Sequence, residues 1–265
     1  MKEVLKMKKP TIGIQLFTLR NHIQNAEDFD KTLDRLSKLG VKDVQISAIG
    51  DFPAEVQGEI LRKYGMNVCV THKPIYRMID DLDTMIEEHK AIGCDAMGIG
   101  APPEDFRGSA ENVREFIAHT KKIGEKLKEN GMTFNYHNHH FEFTKLGDMN
   151  CTMMDLLMEE TDPETFKFIL DVAWVHYADR NPAELLRQLK GRIKVIHFKD
   201  YIIEENRERK FVSLGRGVVN LKECYDIACE LEIPYIMYEQ DCDWTDDDAF
   251  KSVEESWEYL KSLQK

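Results

Sequence analysis

Short apolar runs alternate along this chain with longer amphipathic stretches at a spacing of about thirty residues, and no other feature narrows the choice of fold as much. The apolar runs read as strands: Thr11–Leu19, Asp43–Ile46, Val68–Thr71, Ala96–Gly98, Thr133–Asn138, Phe166–Asp171, Ile193–Phe198 and Pro234–Tyr238. The stretches between them read as helices, among them Ala26–Leu39, Asp81–Ile92, Glu111–Asn130, Pro182–Leu189, Leu221–Leu231 and Phe250–Leu263; the one after the fifth strand is short. Gly40, Gly65 and Gly131 suit left-handed helix C-termini. Asp246-Asp247-Asp248 reads as an acidic start to the last helix. Eight strand–helix units predict a closed parallel α/β barrel, the (β/α)8 or TIM barrel. At 265 residues the chain is near the ~250 typical of one such barrel, so a single domain over residues 1–265 is expected. An open doubly wound sheet is the alternative, but no GxGxxG follows the first strand.

Charge narrows the partners. The formal net charge is −12, from 48 acidic and 36 basic residues, and no basic patch offsets it. Such a surface repels polyphosphate, so a small-molecule partner is expected rather than nucleic acid. No run of about eighteen apolar residues predicts a membrane span. The opening MKEVLKMKKP has no apolar stretch of a secretory signal, and the six cysteines form no CxxC pair. A cytoplasmic location with reduced, mostly buried thiols is expected. GxSxG, Walker and HExxH motifs are missing, which removes the simplest hydrolase, nucleotide and zincin readings.

In such a barrel the functional residues collect at the C-terminal strand ends. Four consecutive predicted strands end in metal-competent residues: Glu142 beyond the fifth, Asp171 on the sixth, His197 on the seventh and Glu239 on the eighth. Three carboxylates and an imidazole would hold one divalent ion, Mn²⁺ first, with Mg²⁺, Co²⁺ or Zn²⁺ as options. Without a cation such close acids would raise one another's pKa. Any one of these acids reads equally well as a surface charge paired with Lys or Arg; four at successive strand ends do not.

At these residues the chain resembles the sugar phosphate isomerase/epimerase group of the xylose-isomerase-like barrel superfamily. The resemblance is carried by GIQLFTLR (Gly13–Arg20), YHNHHFEF (Tyr136–Phe143), LDVAW (Leu170–Trp174), HFKD (His197–Asp200), LGRGVVN (Leu214–Asn220) and YEQD (Tyr238–Asp241), in the expected order. It implies that Glu142, Asp171, His197 and Glu239 are the metal ligands and that Glu142 and Glu239 also move protons on opposite faces of a sugar. His137 lies closer to its strand end than Glu142, so it is the other candidate for the fifth-strand ligand or a proton carrier. Trp174 stands where the epimerases carry a histidine. His72 resembles one ligand of the three-zinc apurinic-site endonucleases, but Met97-Gly98-Ile99-Gly100 and Arg209-Lys210-Phe211 stand where others would be, which disfavours a nuclease.

The activity implied is isomerisation or epimerisation of a sugar or sugar phosphate by proton abstraction beside a carbonyl, through an enediolate. A lyase or dehydratase on a keto-sugar or keto-inositol shares that first step, with His137 or His139 as acid; a non-catalytic sugar-binding barrel is a third reading. Lys199, His72, His139, Trp174, Gln15 and Arg216 are substrate-binding candidates. Lys199 reads equally as a salt bridge to Asp200 or Asp241, Gln15 as barrel interior, Trp174 as core, and Arg216 as solvated surface. His22, His89 and His119 are expected on surfaces, and His140 turned outward. A homo-oligomer stays open.

Overall fold

The computed structural model describes residues 8–147, 149–205 and 208–265. The first seven residues of the basic opening, on which the reading of the N-terminus rests, lie outside them. The chain runs through β1 (Thr11–Gln15), α1 (Ala26–Lys38), β2 (Asp43–Ile46), α2 (Ala54–Tyr64), β3 (Asn67–His72), α3 (Ile75–Asp80), α4 (Leu82–Ile92) and β4 (Ala96–Ile99). It continues with α5 (Ala110–Glu129), β5 (Thr133–His137), α6 (Met153–Glu160), β6 (Phe166–Asp171), α7 (Val172–Tyr177), α8 (Pro182–Gln188) and β7 (Ile193–Phe198). After β8 (Asp200–Ile203) and β9 (Arg209–Val212) come α9 (Leu221–Glu230), β10 (Tyr235–Tyr238) and α10 (Ala249–Leu263). Among the described residues, eight parallel strands close into a barrel in the order β1-β10-β7-β6-β5-β4-β3-β2. This is a TIM barrel. No helix among the described residues is long and apolar enough to cross a membrane.

Local signals set the element ends. Asn25, Ser109 and Asp248 accept backbone N–H groups at the starts of α1, α5 and α10; of the acidic triplet only Asp248 caps the last helix, Asp246 and Asp247 lying in a 3-10 turn before it. Gly40, Gly65 and Gly131 take the left-handed conformation that closes a helix. Two strand features differ from the sequence pattern. The first strand stops at Gln15 rather than Leu19, because Gln15 Oε1 accepts the Phe17 N–H at 3.2 Å and the chain folds into a 3-10 turn over Leu16–His22. Leu16 and Leu19 remain buried there, so the apolar run outlasts the strand. The second is the β8–β9 antiparallel hairpin, which had no counterpart in the sequence reading.

Between strands and helices lies one continuous apolar core, from Ile14 and Phe29 round to Trp257 and Leu260. A separate small cluster draws only on strand residues, among them Cys69, Ala96, Ile169, Val195 and Met237, as side chains filling a barrel interior do. His89 belongs to the first core and not to the surface. It is fully buried on α4, where the Thr71 hydroxyl meets its Nε2 at 2.7 Å and its Nδ1–H donates to Met85 O at 2.7 Å. Its spacing from Met85 and Ile92 was the available signal. Cys224 and Cys229 are buried packing residues, as read.

Candidate metal centre

Strand alternation builds the site. In β7 and the residue after it, Val195, His197 and Lys199 share one face, and Asp171 pairs in register with His197, which in turn pairs with Met237. Two residues on from Met237 stands Glu239, and His137 closes β5. His137, Asp171, His197 and Glu239 are all buried and each offers a donor atom within 4.8 Å of the others.

Three of these four side chains are held by their other atom. Asp171 Oδ1 accepts the N–H groups of Ala173 and Trp174 at 2.9 and 3.0 Å, capping α7. His137 Nδ1–H donates to Gly100 O at 2.9 Å, and His197 Nε2–H donates to Gln45 Oε1 at 2.7 Å. What remains is His137 Nε2, Asp171 Oδ2, His197 Nδ1 and Glu239 Oε2, four buried atoms turned toward one another, the two carboxylate oxygens also facing the Lys199 ammonium. His137 Nε2 lies 3.5 Å from Asp171 Oδ2, and His197 Nδ1 lies 3.0 Å from Glu239 Oε2. With both rings neutral and their other nitrogens holding the protons, lone pairs face lone pairs across these gaps; burial lowers the His137 pKa, but Asp171 and Glu239 outweigh it and raise it. A shared cation resolves that conflict, and two imidazoles with two carboxylates are donors that a divalent ion accepts. The residues fit a metal.

Lys199 supplies positive charge beside this group. Its Nζ lies 3.1 Å from Asp171 Oδ2, 3.0 Å from Glu239 Oε2 and 3.0 Å from Asp241 Oδ2. Burial alone would lower its pKa, but Asp171, Asp241 and Glu239 outweigh that and raise it. Burial likewise works against ionised Asp171, yet Lys199 and His137 hold it down at about 2. Glu239 is held well below the usual carboxylate range, against burial, by Lys199 and His197. His72 is pushed low by burial and by its histidine neighbours, and His139 is pushed to about 2 for the same reasons.

The fifth-strand donor in this group is therefore His137, not Glu142. After His137 the chain leaves the strand and makes a turn of 3-10 helix over Phe141–Phe143. That turn swings Glu142 back, so that its carboxylate accepts the Tyr136 O–H at 2.7 Å and the His139 N–H at 2.8 Å. Tyr136 faces the other way from His137, against Phe116 and Phe166. Burial lifts Glu142 to about 7 there.

The other candidates disperse. His72, His137, His139, Lys199, Glu239 and Asp241 line a cavity of about 190 Å³. A wider cleft of about 770 Å³ beside it shares the wall of His72, Gly100 and Ala101. Gln15 is buried in β1, its amide nitrogen unpartnered. Trp174 is buried against His139 and His140, with the Arg209 guanidinium 4.1 Å above its ring. Arg216 pairs instead with Glu255 at 3.0 Å, away from the cavity. Asp200 does not pair with Lys199; its carboxylate accepts the N–H groups of Tyr201, Gly215, Gly217 and Val219. His140 is exposed, as expected, and His176 meets the Tyr201 hydroxyl at 2.7 Å. Asp241 is the salt-bridge partner of Lys199 that the sequence offered beside Asp200, whereas Gln45 was not singled out. Gln45 had one signal, an amide between the apolar Val44 and Ile46 of a short strand.

Comparison with known proteins adds the following. The family profile described as xylose isomerase-like TIM barrel matches residues 13–263. A curated relative, an inosose dehydratase of Clostridium tetani (strain Massachusetts / E88), is 25% identical over 134 residues, which is 45% of this chain and 44% of that one. The match thus spans less than half of that relative's length. A sugar phosphate isomerase/epimerase from Parabacteroides distasonis ATCC 8503 superposes with a TM-score of 0.81 at 20% identity, over 97% of this chain and 98% of that one. An L-ribulose 3-epimerase superposes at 0.73 with 15% identity, covering 96% and 94%. At such identities these structures share the fold alone.

Proposed function

The chain belongs to the xylose isomerase-like TIM barrel family, and from that premise we propose that it is a divalent-metal-dependent lyase or dehydratase acting on a keto-sugar or keto-cyclitol. His137, Asp171, His197 and Glu239 would hold the ion, with Mn²⁺ favoured by mixed imidazole and carboxylate donors. Such an ion would polarise the substrate carbonyl and make the neighbouring C–H acidic.

The observation that carries the reading is the Glu239–Lys199 pair, an acid–base couple 3.0 Å apart on the cavity wall. Glu239 takes the proton from the carbon beside the carbonyl. The electron pair left on that carbon forms the new double bond as the C–O bond at the next carbon breaks, and Lys199 gives a proton to the departing oxygen. Protonating Glu239 removes one of the three carboxylate charges that hold the lysine's proton, so Lys199 becomes a stronger acid when it is needed. The proton on Glu239 can then pass to Lys199 and restore both groups. A two-face epimerase scheme loses support here, because Glu142, its second base, is turned away to Tyr136 and His139. The relatives' name, inosose dehydratase, agrees with elimination.

The test is incubation of Mn²⁺-loaded protein with keto-sugars and keto-inositols in D₂O, followed by NMR. Elimination products are expected, lost in Glu239→Gln and Lys199→Met. Deuterium uptake without elimination would make the protein an isomerase or epimerase instead.

A further inference from the structure

Gln45 is fully buried on β2 and its carboxamide touches two rings. Oε1 accepts from His197 Nε2 at 2.7 Å, and Nε2 lies 2.8 Å from His72 Nε2. A carboxamide has one accepting end and one donating end. Where Oε1 accepts, the facing imidazole must carry its proton at Nε2; where the NH₂ donates, the facing imidazole must be bare at Nε2. One amide therefore couples the tautomers of two histidines on strands β3 and β7.

We infer that Gln45 is a positioning residue that sets His72 to present an Nδ1–H donor to the cavity, as a seat for an acceptor oxygen of the substrate, while the same amide leaves His197 Nδ1 free for the metal group. Two further observations meet at His72. It lines both the 190 Å³ cavity and the 770 Å³ cleft, and the hydrogen-bond contact its ring makes, with Gln45, is through Nε2. Gly100, on the same shared wall, keeps the approach to that nitrogen open: a Cβ there would come within 3.1 Å of His72 Nδ1. Gly100 has no positive φ, so it is the space and not the backbone conformation that calls for glycine. A hydroxyl, carbonyl or carboxylate oxygen spanning the two cavities meets a donor of fixed direction there. This deepens the reading of the metal site and rests on it only for the substrate, since the tautomers belong to the protein alone.

The test reads histidine tautomers by long-range ¹H–¹⁵N correlation in metal-free protein at mildly alkaline pH. In the wild type His72 should carry its proton on Nδ1 and His197 on Nε2. Gln45→Glu presents accepting oxygens to both rings, so the His72 proton should move to Nε2 while His197 stays. Gln45→Leu releases both rings, and Mn²⁺ binding by calorimetry should weaken roughly 10–100-fold, the usual effect of losing a residue that orients a ligand. A wild-type His72 protonated on Nε2 overturns the proposal even if no variant folds, as does a His72 tautomer unmoved in Gln45→Glu. Failure of the wild type to bind Mn²⁺ would instead remove the metal reading and leave the coupled tautomers standing.

Discussion

A carboxylate that already accepts a phenol and a backbone amide, as Glu142 does, is committed to holding the loop after β5. Glu142→Gln turns one accepting oxygen into a donor, so either the Tyr136 hydroxyl or the His139 amide loses its partner inside a buried site. The expected cost is about 1–3 kcal/mol of stability, read from urea denaturation, with Mn²⁺ affinity unchanged. Asp171→Asn should behave in the opposite way, losing the ion while the fold persists. Loss of Mn²⁺ in Glu142→Gln at full stability would return Glu142 to the ligand set. The residue types at this site were legible in the chain; which of two neighbours faced inward was not. The resemblance alone points to Glu142 as the ligand, and the strand end at His137 and the 3-10 turn over Phe141–Phe143 that turn it away leave no periodic signal.

Among the elements, α4 shows how a buried titratable group ties a helix to its strand. His89 reaches β3 through Thr71, and burial chiefly drives its pKa down to about 4. The unfolded chain binds that proton near pH 6.5, the ordinary value for histidine, whereas the native state does so only near 4. Between those values the unfolded state holds more protons, so stability is full above about pH 6.5 and falls as pH drops toward 4, by about 3 kcal/mol from this residue. His89→Gln can keep both hydrogen bonds without the charge. Its urea midpoint should fall less steeply than the wild type's across that window, and parallel curves would refute the assignment. The β8–β9 hairpin is a contrasting case. Its strands are four residues each, and Asp200 anchors the glycine loop after them by accepting the N–H groups of Gly215, Gly217 and Val219. A single Asp in HFKD gives no hint of that, since its partners lie up to nineteen residues away.

For the whole molecule the controlling event is closure of the barrel, and Gly13 sits at the seam. A Cβ on Gly13 would fall 2.1 Å from the Asp43 carbonyl oxygen and 2.7 Å from the Met237 sulfur, on the strands flanking β1. The Met237 side chain can move aside, but the Asp43 backbone cannot yield without shifting β2. Gly13→Ala should therefore destabilise the fold by roughly 1–3 kcal/mol or more through overpacking, seen as a lower calorimetric Tm. An unchanged Tm would mean that the seam has slack. The glycine that opens GIQLFTLR is thus needed for barrel closure, whatever its neighbours contribute to the site.

The sequence by itself determined the barrel, the places of its eight strands, and the strand ends from which Asp171, His197 and Glu239 project. Those follow from periodicity and chain length, which are local properties repeated along the chain. Tertiary structure alone decided that His137 rather than Glu142 lies with Asp171, His197 and Glu239, that Lys199 lies among three carboxylates, and that Gln45 spans His72 and His197. Each of those depends on side chains from strands far apart in sequence meeting inside a closed ring, where a hydrogen bond is set by distance and direction and leaves no periodic trace.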